Sequence, residues 1–492
     1  MAPPDAATSA SDRLLELVGR LERHEGFEQV VAGLMSGQGA TLDGVWGSSC
    51  ALAAAALARH APAVLVIVCP KIDHVDPFLD DLGLFTRLTP ERFAARESLS
   101  GERVVLDEAF GDRVRLLKLL PRRRPSLAAP LPAEGKRNSP AAGVATSGQR
   151  GVTGDGPPGP ETPEPLVIVT SIQALLQPVP DRQAIAQQTR VLRVGDEVGP
   201  ADLSRWLAQN KFQHTSAVEL PGEYALRGGI MDVFAPDWSD PVRIEWFGER
   251  IESLRRFEVA SQRSLAVLEA VDITVLDAAF AHRGHLTDFL PPESWFLLVE
   301  PAQLHEQGRH YLERLQRPQE AHSVAAVMER VLRFPAVAAC AVADALAKAA
   351  CRLRIESVER FSGDIGKVRA ELDTIGAGQE VFVVCQTEAE VRRLSEIFGS
   401  TRLAQSGRLH FPVGQLREGF RLVPDRVVLV SSGALFHRAE VRRAPAHRRL
   451  GKPLDSFLEL REGQLVVHVA HGIARYRGMT LLEKDQQAEE HL

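Results

Sequence analysis

Apolar residues along the chain fall into three spacings, and each predicts a different element. Between Asp12 and Arg23, Leu14, Leu15, Leu17, Val18 and Leu21 recur at helical intervals, the mark of an amphipathic helix. Ala51–Arg59 is alanine-rich and reads as a second helix. Ala63–Cys69 is a continuous apolar run rich in Val, Leu and Ile, of the kind buried on both faces of a parallel sheet. LVIVTSIQALL, at 166–176, repeats the strand-then-helix pattern. Alternation of this type argues for an open parallel α/β sheet.

From 189 to 271 the period changes to two. Ser216–Glu219, Ile230–Phe234 and Val242–Phe247 read as strands, separated by PGEY, RGG and PDWSDP turns. This predicts a small antiparallel unit inserted in the α/β domain. Residues 272–350 are mixed, with alanine-rich helical stretches, and read as the remainder of that domain. A second small α/β unit follows at 351–436: GQEVFVVC is a strand, EAEVRRLSEIFG a helix and RVVLVSS another strand. A basic linker at 437–454 leads to a strand-turn-strand pattern in the last segment, 455–492.

The first domain, 1–120 plus 165–188, is interrupted at 121–164 by a segment rich in Pro, Gly, Ala and Ser with no aromatic residue. It has too little apolar surface to offset the entropy of ordering, so a disordered surface insertion is expected.

Composition narrows the class. A chain of 492 residues exceeds the roughly 100–200 residues of one domain, so about three or four units are expected. The net charge of −6 excludes a globally basic nucleic-acid binder. The five cysteines, Cys50, Cys69, Cys340, Cys351 and Cys385, form no CxxC pair, which argues against zinc and disulfide frameworks. No run approaches the roughly 20 apolar residues of a membrane span, and no signal pattern opens the chain. A cytoplasmic, monomeric protein without membrane contact is expected.

One loop imitates a phosphate cradle. Residues 44–51 read GVWGSSCA. A working P-loop, GxxxxGK[ST], needs glycines to wrap the phosphates, a lysine to neutralise them and a hydroxyl for magnesium. Gly44 fits the first position and Gly47 lies within the loop, but Ser49 stands where the second glycine belongs. Cys50 replaces the lysine and Ala51 the hydroxyl. No cofactor site and no catalytic residue are expected here.

The context GVWGSSCALAAAALA is similar to the degenerate loop of bacterial transcription-repair coupling factors, whose relative UvrB carries an intact one. The segment from Val218, VELPGEYALRGGIMDVFAPDWSDPVRIEWFGERIESLRRFEVASQRS, resembles the UvrA-binding domain shared by both families. The resemblance implies that UvrA is contacted by Arg227, Arg243 and Phe247. The residues alone leave two readings: Arg243, Glu245 and Phe247 point away from Val242, Ile244 and Trp246 and form a docking face, or Arg243 pairs with Glu245 or Glu249 and Phe247 is core. Only Tyr224, Tyr311 and Tyr476 are tyrosines, so no tyrosine-rich hairpin for stacking on DNA bases is seen.

LREGQLVVHVAHGIARYRGMTLLEK resembles the start of the RNA-polymerase-interacting, CarD-like domain, a small β-barrel. The resemblance implies that Leu482 contacts the polymerase β subunit. His468 and His471 are weak evidence for a metal; Arg475, Tyr476 and Arg477 suit packing and solubility. The sequence is expected to stop inside this domain, in a ragged QQAEEHL end. The family's motor, which translocates on double-stranded DNA with ATP and magnesium, is expected to be lacking. The expected architecture is therefore α/β multidomain: a UvrB-like degenerate P-loop domain, its antiparallel insert, a small α/β domain and a truncated barrel. Two other readings stay open, a UvrB-like ATPase with a divergent loop and a CarD-like transcription regulator.

Overall fold

The fold is that of a computed structural model, which describes residues 9–96, 108–120, 164–275, 283–342, 351–358 and 361–436, with the backbone of four strands between 465 and 491. The 121–164 insertion and the 437–454 linker lie outside the described residues, apart from Glu164. Two units are distinguished, 1–440 and 441–492.

The first unit is built on a seven-stranded, all-parallel sheet. Its order is Cys351–Arg352, Ala40–Asp43, Ala336–Cys340, Trp295–Val299, Val64–Cys69, Leu166–Ser171, Glu91–Phe93. Two central strands, Trp295–Val299 and Ala336–Cys340, come from the segment that read as mixed, with alanine-rich helical stretches. WFLLV and AVAAC are five-residue runs without alternation, and such short runs carry no period that separates strand from helix. Cys351–Arg352 completes this sheet rather than opening the next unit.

Val64–Cys69 is buried at every position. Its side chains divide by alternation: Leu65, Ile67 and Cys69 join one core, Val64, Val66 and Val68 another. On the first face lie helices Ala10–Leu21, Phe27–Met35, Ser49–Ala58 and Val75–Leu82. Beyond them lies a five-stranded sheet ordered Ile355–Ser357, Phe420–Leu422, Val427–Ser431, Glu380–Val384, Leu409–His410. Phe382, Val384, Val427 and Leu429 face the same helices, whereas Val381, Val383, Val428 and Val430 face helices Ile365–Ile375 and Glu388–Phe398. The small α/β unit thus shares the helical layer of the first domain, giving helix, sheet, helix, sheet, helix layers.

That sharing accounts for the sequence SCALAAAALA. Helix Ser49–Ala58 is buried at all ten positions, because a sheet lies on each side of its layer. Only small side chains allow interior packing density on both flanks. Helix Ala10–Leu21 starts at Ser9, whose hydroxyl accepts the Asp12 amide, an N-cap. It buries Leu14, Leu17, Val18 and Leu21, as their spacing predicts.

The inserted unit, between Leu166–Ser171 and Trp295–Val299, is a six-stranded sheet: Ser264–Leu268, Arg250–Phe257, Val242–Phe247, Ile230–Phe234, Glu223–Arg227, Gln213–His214. All neighbours are antiparallel except the last pair. Ile230–Phe234 and Val242–Phe247 match the periodicity. Ser216–Glu219 is not a strand: Glu223 reaches back and its carboxylate accepts the amides of Glu219 and Leu220, at 2.7 and 2.9 Å. A side chain that satisfies these amides removes their need for a ladder.

The second unit holds two separate antiparallel pairs, Leu465–His468 with Gly472–Arg475 and Thr480–Lys484 with Gln487–His491. No closed barrel forms among the described residues, because four strands of four or five residues are too few to close one. The expected ragged end is instead a strand, with Gln487 opposite Lys484 and His491 opposite Thr480.

Candidate functional site

The inserted sheet has a buried face and a partly open one. Val242, Ile244 and Trp246 are buried with Met231, Val233, Ile251 and Leu254, covered by helix Pro200–Gln209 through Leu203 and Leu207. Register places the opposite residues in rows. Arg227, Ile230, Glu245 and Ser253 form one; Ala225, Asp232, Arg243, Arg255 and Val267 form the next. Phe247, two residues beyond Glu245, flanks the first row. The structure therefore brings Arg227, Arg243 and Phe247 to one face, the Arg227 row lying two residues from Arg243 on one side and from Phe247 on the other.

Their environments differ. Phe247 is 82% exposed, so it is not core. Arg243 clasps Asp232 in a bidentate pair, Nε to Oδ1 at 2.7 Å and Nη2 to Oδ2 at 2.9 Å. Its partner is neither Glu245 nor Glu249. Glu245 instead accepts from Ser253 and faces Arg255 at 3.4 Å. Arg243 also donates to Gln262 Oε1 at 3.0 Å and lies over the Phe257 ring, 4.6 Å from its centre. The Asp232 hydrogen bonds raise the guanidinium pKa further. Arg243 is thus a held guanidinium whose remaining edge faces outward, preorganised in the way that favours recognition. Arg227 Nη2 donates to the Ser216 carbonyl.

Three residues of this face escape the pattern analysis. Ile230, Leu265 and Val267 are 42%, 54% and 77% exposed. Leu265 and Val267 lie on the edge strand Ser264–Leu268, exposed along nearly its whole length. Strand Arg250–Phe257, which carries it, has no strict alternation because of register shifts at Glu245/Trp246 and Arg256/Phe257. The other end of the face is closed by Val218, Ala225 and Phe234 with Trp238.

The unit is clamped to the α/β domain. Lys118, on helix Glu108–Leu119, meets Asp237 at 2.5 Å, Asp272 at 3.0 Å and the Thr274 hydroxyl at 2.8 Å. In the same helix, a Cβ on Gly111 would stand 2.0 Å from the Pro236 carbonyl oxygen, so glycine alone permits this approach.

The Gly44–Ala51 loop is closed on itself. The amides of Ser49, Cys50 and Ala51 donate to the carbonyls of Trp46, Gly47 and Ser48, at 3.1 to 3.2 Å. Ser49 Oγ donates to Trp46 O and accepts the Trp46 amide, at 2.6 and 3.0 Å. The Val45 amide donates to the Cys340 carbonyl at 3.1 Å, so five of the loop's amides are engaged within the chain. Burial holds the Cys50 thiol protonated, with Cys69, Glu300, Asp81 and Glu418 adding to the rise. Burial pushes Cys69 and Cys385 to about 12 as well. All five cysteines are unbridged, and no group of three metal-ligating side chains occurs among the described residues. No described helix is long and apolar enough to cross a membrane.

In the second unit Leu482 lies in Thr480–Lys484, opposite Glu489. His468 pairs with Gly472, and His471 lies outside the described residues.

Comparison with known proteins agrees with this division. The UvrB interaction domain matches residues 191–294, covering the inserted sheet. The CarD-like/TRCF RID domain matches residues 460–492. The transcription-repair-coupling factor of Bacillus subtilis is 20% identical over 416 residues, covering 65% of this chain and 35% of that protein. That of Staphylococcus aureus is 22% identical over 389 residues, covering 61% and 33%. That of Mycobacterium tuberculosis is 39% identical over 117 residues, covering 24% and 9%. The chain spans about a third of the length of the first two relatives. The chain is similar to the transcription-repair-coupling factors, with matches to the UvrB interaction domain and, at 460–492, to the CarD-like/TRCF RID domain.

Proposed function

We propose that the chain serves transcription-coupled nucleotide-excision repair as a docking module, recruiting UvrA through the open face of the inserted sheet and engaging RNA polymerase through the strands of the second unit. The observation that carries the reading is the exposed Phe247 on the same face as the held Arg243 and Arg227. Arginines and aromatics supply most of the binding energy at protein interfaces. Burial of a Phe side chain contributes about 1.5–3 kcal/mol. Ile230, Leu265 and Val267 extend the apolar part of that face. Leu482 is the residue assigned to the polymerase β subunit, and paired strands of this size suit edge-to-edge addition of a partner strand.

The UvrB-like ATPase reading has no observation in its favour: the amides of Val45, Trp46, Ser49, Cys50 and Ala51 are engaged within the chain, and Cys50 and Ala51 supply neither charge nor metal ligand. Upstream double-stranded DNA and ATP with magnesium belong, in this reading, to a motor that these residues do not form. The test is capture of purified UvrA by immobilised protein. Wild type retains UvrA and the Arg243→Ala/Phe247→Ala protein does not; equal capture by both would refute the assignment.

A further inference from the structure

The Gly44–Ala51 loop has lost its nucleotide chemistry, yet it is tightly enclosed by segments from the far end of the unit. A Cβ on Gly44 would stand 2.2 Å from the Leu353 carbonyl oxygen, and one on Gly47 2.2 Å from Glu418 Oε2. Both glycines have positive φ, +75° and +50°. The Glu418 amide donates to Ser48 Oγ at 2.9 Å, and the Arg417 amide to Asp81 Oδ1 at 2.8 Å. Ser48 also hydrogen-bonds the Asp81 carboxylate. Ser48 and Asp81 are both buried, and Leu416 and Phe420 pin the segment into the shared core on either side. Glu418, Asp81 and Glu300 all bear on Cys50, the former lysine position. The Arg417 cation acts in the opposite sense on Asp81 and Cys69.

We propose that the vestigial loop has become a protein socket, in which Ser48 and Asp81 seat the Arg417–Glu418 segment and thereby fix the five-stranded sheet over the helical layer. The seated segment, and not only the loss of the lysine, closes the loop to nucleotide. Nucleotide phosphate and Glu418 contend for the same space beside Gly47. The chain therefore supplies its own carboxylate where the ancestral ligand would lie.

Hydrogen exchange on the full chain tests this. The Arg417 and Glu418 amides should be protected in wild type and unchanged by Mg-ATP. Ser48→Ala should speed their exchange by up to about tenfold, the scale of one lost hydrogen bond, while helix Glu108–Leu119 stays as it was. A Ser49→Gly/Cys50→Lys/Ala51→Thr protein, with the P-loop residues restored, should still bind no fluorescent ATP analogue. ATP binding by that protein overturns the socket, as does unchanged exchange in Ser48→Ala. Where the restored loop prevents folding, the Ser48→Ala exchange decides alone.

Discussion

Phe247 and Arg243 differ in what their loss should do. Phe247 touches little of its own chain, so Phe247→Ala should leave the melting temperature unchanged while weakening UvrA binding at least about tenfold, as for an interface hot spot. Arg243→Ala should do both. It strands Asp232, which is 15% exposed at its side chain, and an uncompensated half-buried charge costs roughly 1–3 kcal/mol. A Phe247→Ala protein that melts early would return that ring to the core. Asp81 offers a test by pH. Burial lifts its carboxyl to about 7 from an ordinary 3.8. The folded chain thus holds a proton that the unfolded chain has released, and this group's stabilisation is complete below about pH 4 and is lost as pH rises toward 7. Asp81→Asn should match wild type near pH 4 and exceed it near pH 8 by up to about 4 kcal/mol. A stability difference that stays flat between those pH values would contradict the assignment.

At the scale of elements, two contacts set the geometry of the faces. Helix Ser49–Ala58 has a sheet beyond each flank, so Ala54→Leu should cost about 1–3 kcal/mol by overpacking, read by urea denaturation; a neutral result would mean the layer has slack. The Lys118 clamp is the second. Lys118→Met leaves Asp237 buried without its cation, and removing one partner of a buried pair costs about 3–5 kcal/mol. The same change should raise hydrogen exchange across 235–238 while leaving the Arg417 and Glu418 amides alone. Elements with a clear period, or with an unbroken branched-apolar run between turns, were legible in the sequence: helix Ala10–Leu21 and the strands Ile230–Phe234 and Val242–Phe247 by period, strand Val64–Cys69 by its run. Elements that depend on partners were not. WFLLV and AVAAC become strands because the sheet offers places between Ala40–Asp43 and Val64–Cys69, and no local period records that. Ser216–Glu219 fails as a strand because one side chain, Glu223, takes its amides.

For the whole molecule, the sequence pointed to candidate surfaces but not to how they are built. The alternation in VRIEWF placed Arg243 and Phe247 on one face, and the structure adds Ile230 and Val267, which meet that face only through cross-strand register. The missing lysine led to the expectation of no nucleotide at the loop. That the loop is filled by Arg417 and Glu418, about 370 residues away in sequence, is a long-range fact no local pattern carries. The two α/β parts share one helical layer, and its alanine content was the single trace of that in the sequence. The account's central claim is that the open face of the inserted sheet receives UvrA. Calorimetric titration of UvrA into the full chain and into its Phe247→Ala form measures this most directly. Saturable binding by wild type, weakened at least about tenfold in the variant at unchanged melting temperature, is the predicted result; equal affinities, or no binding by wild type, would contradict it.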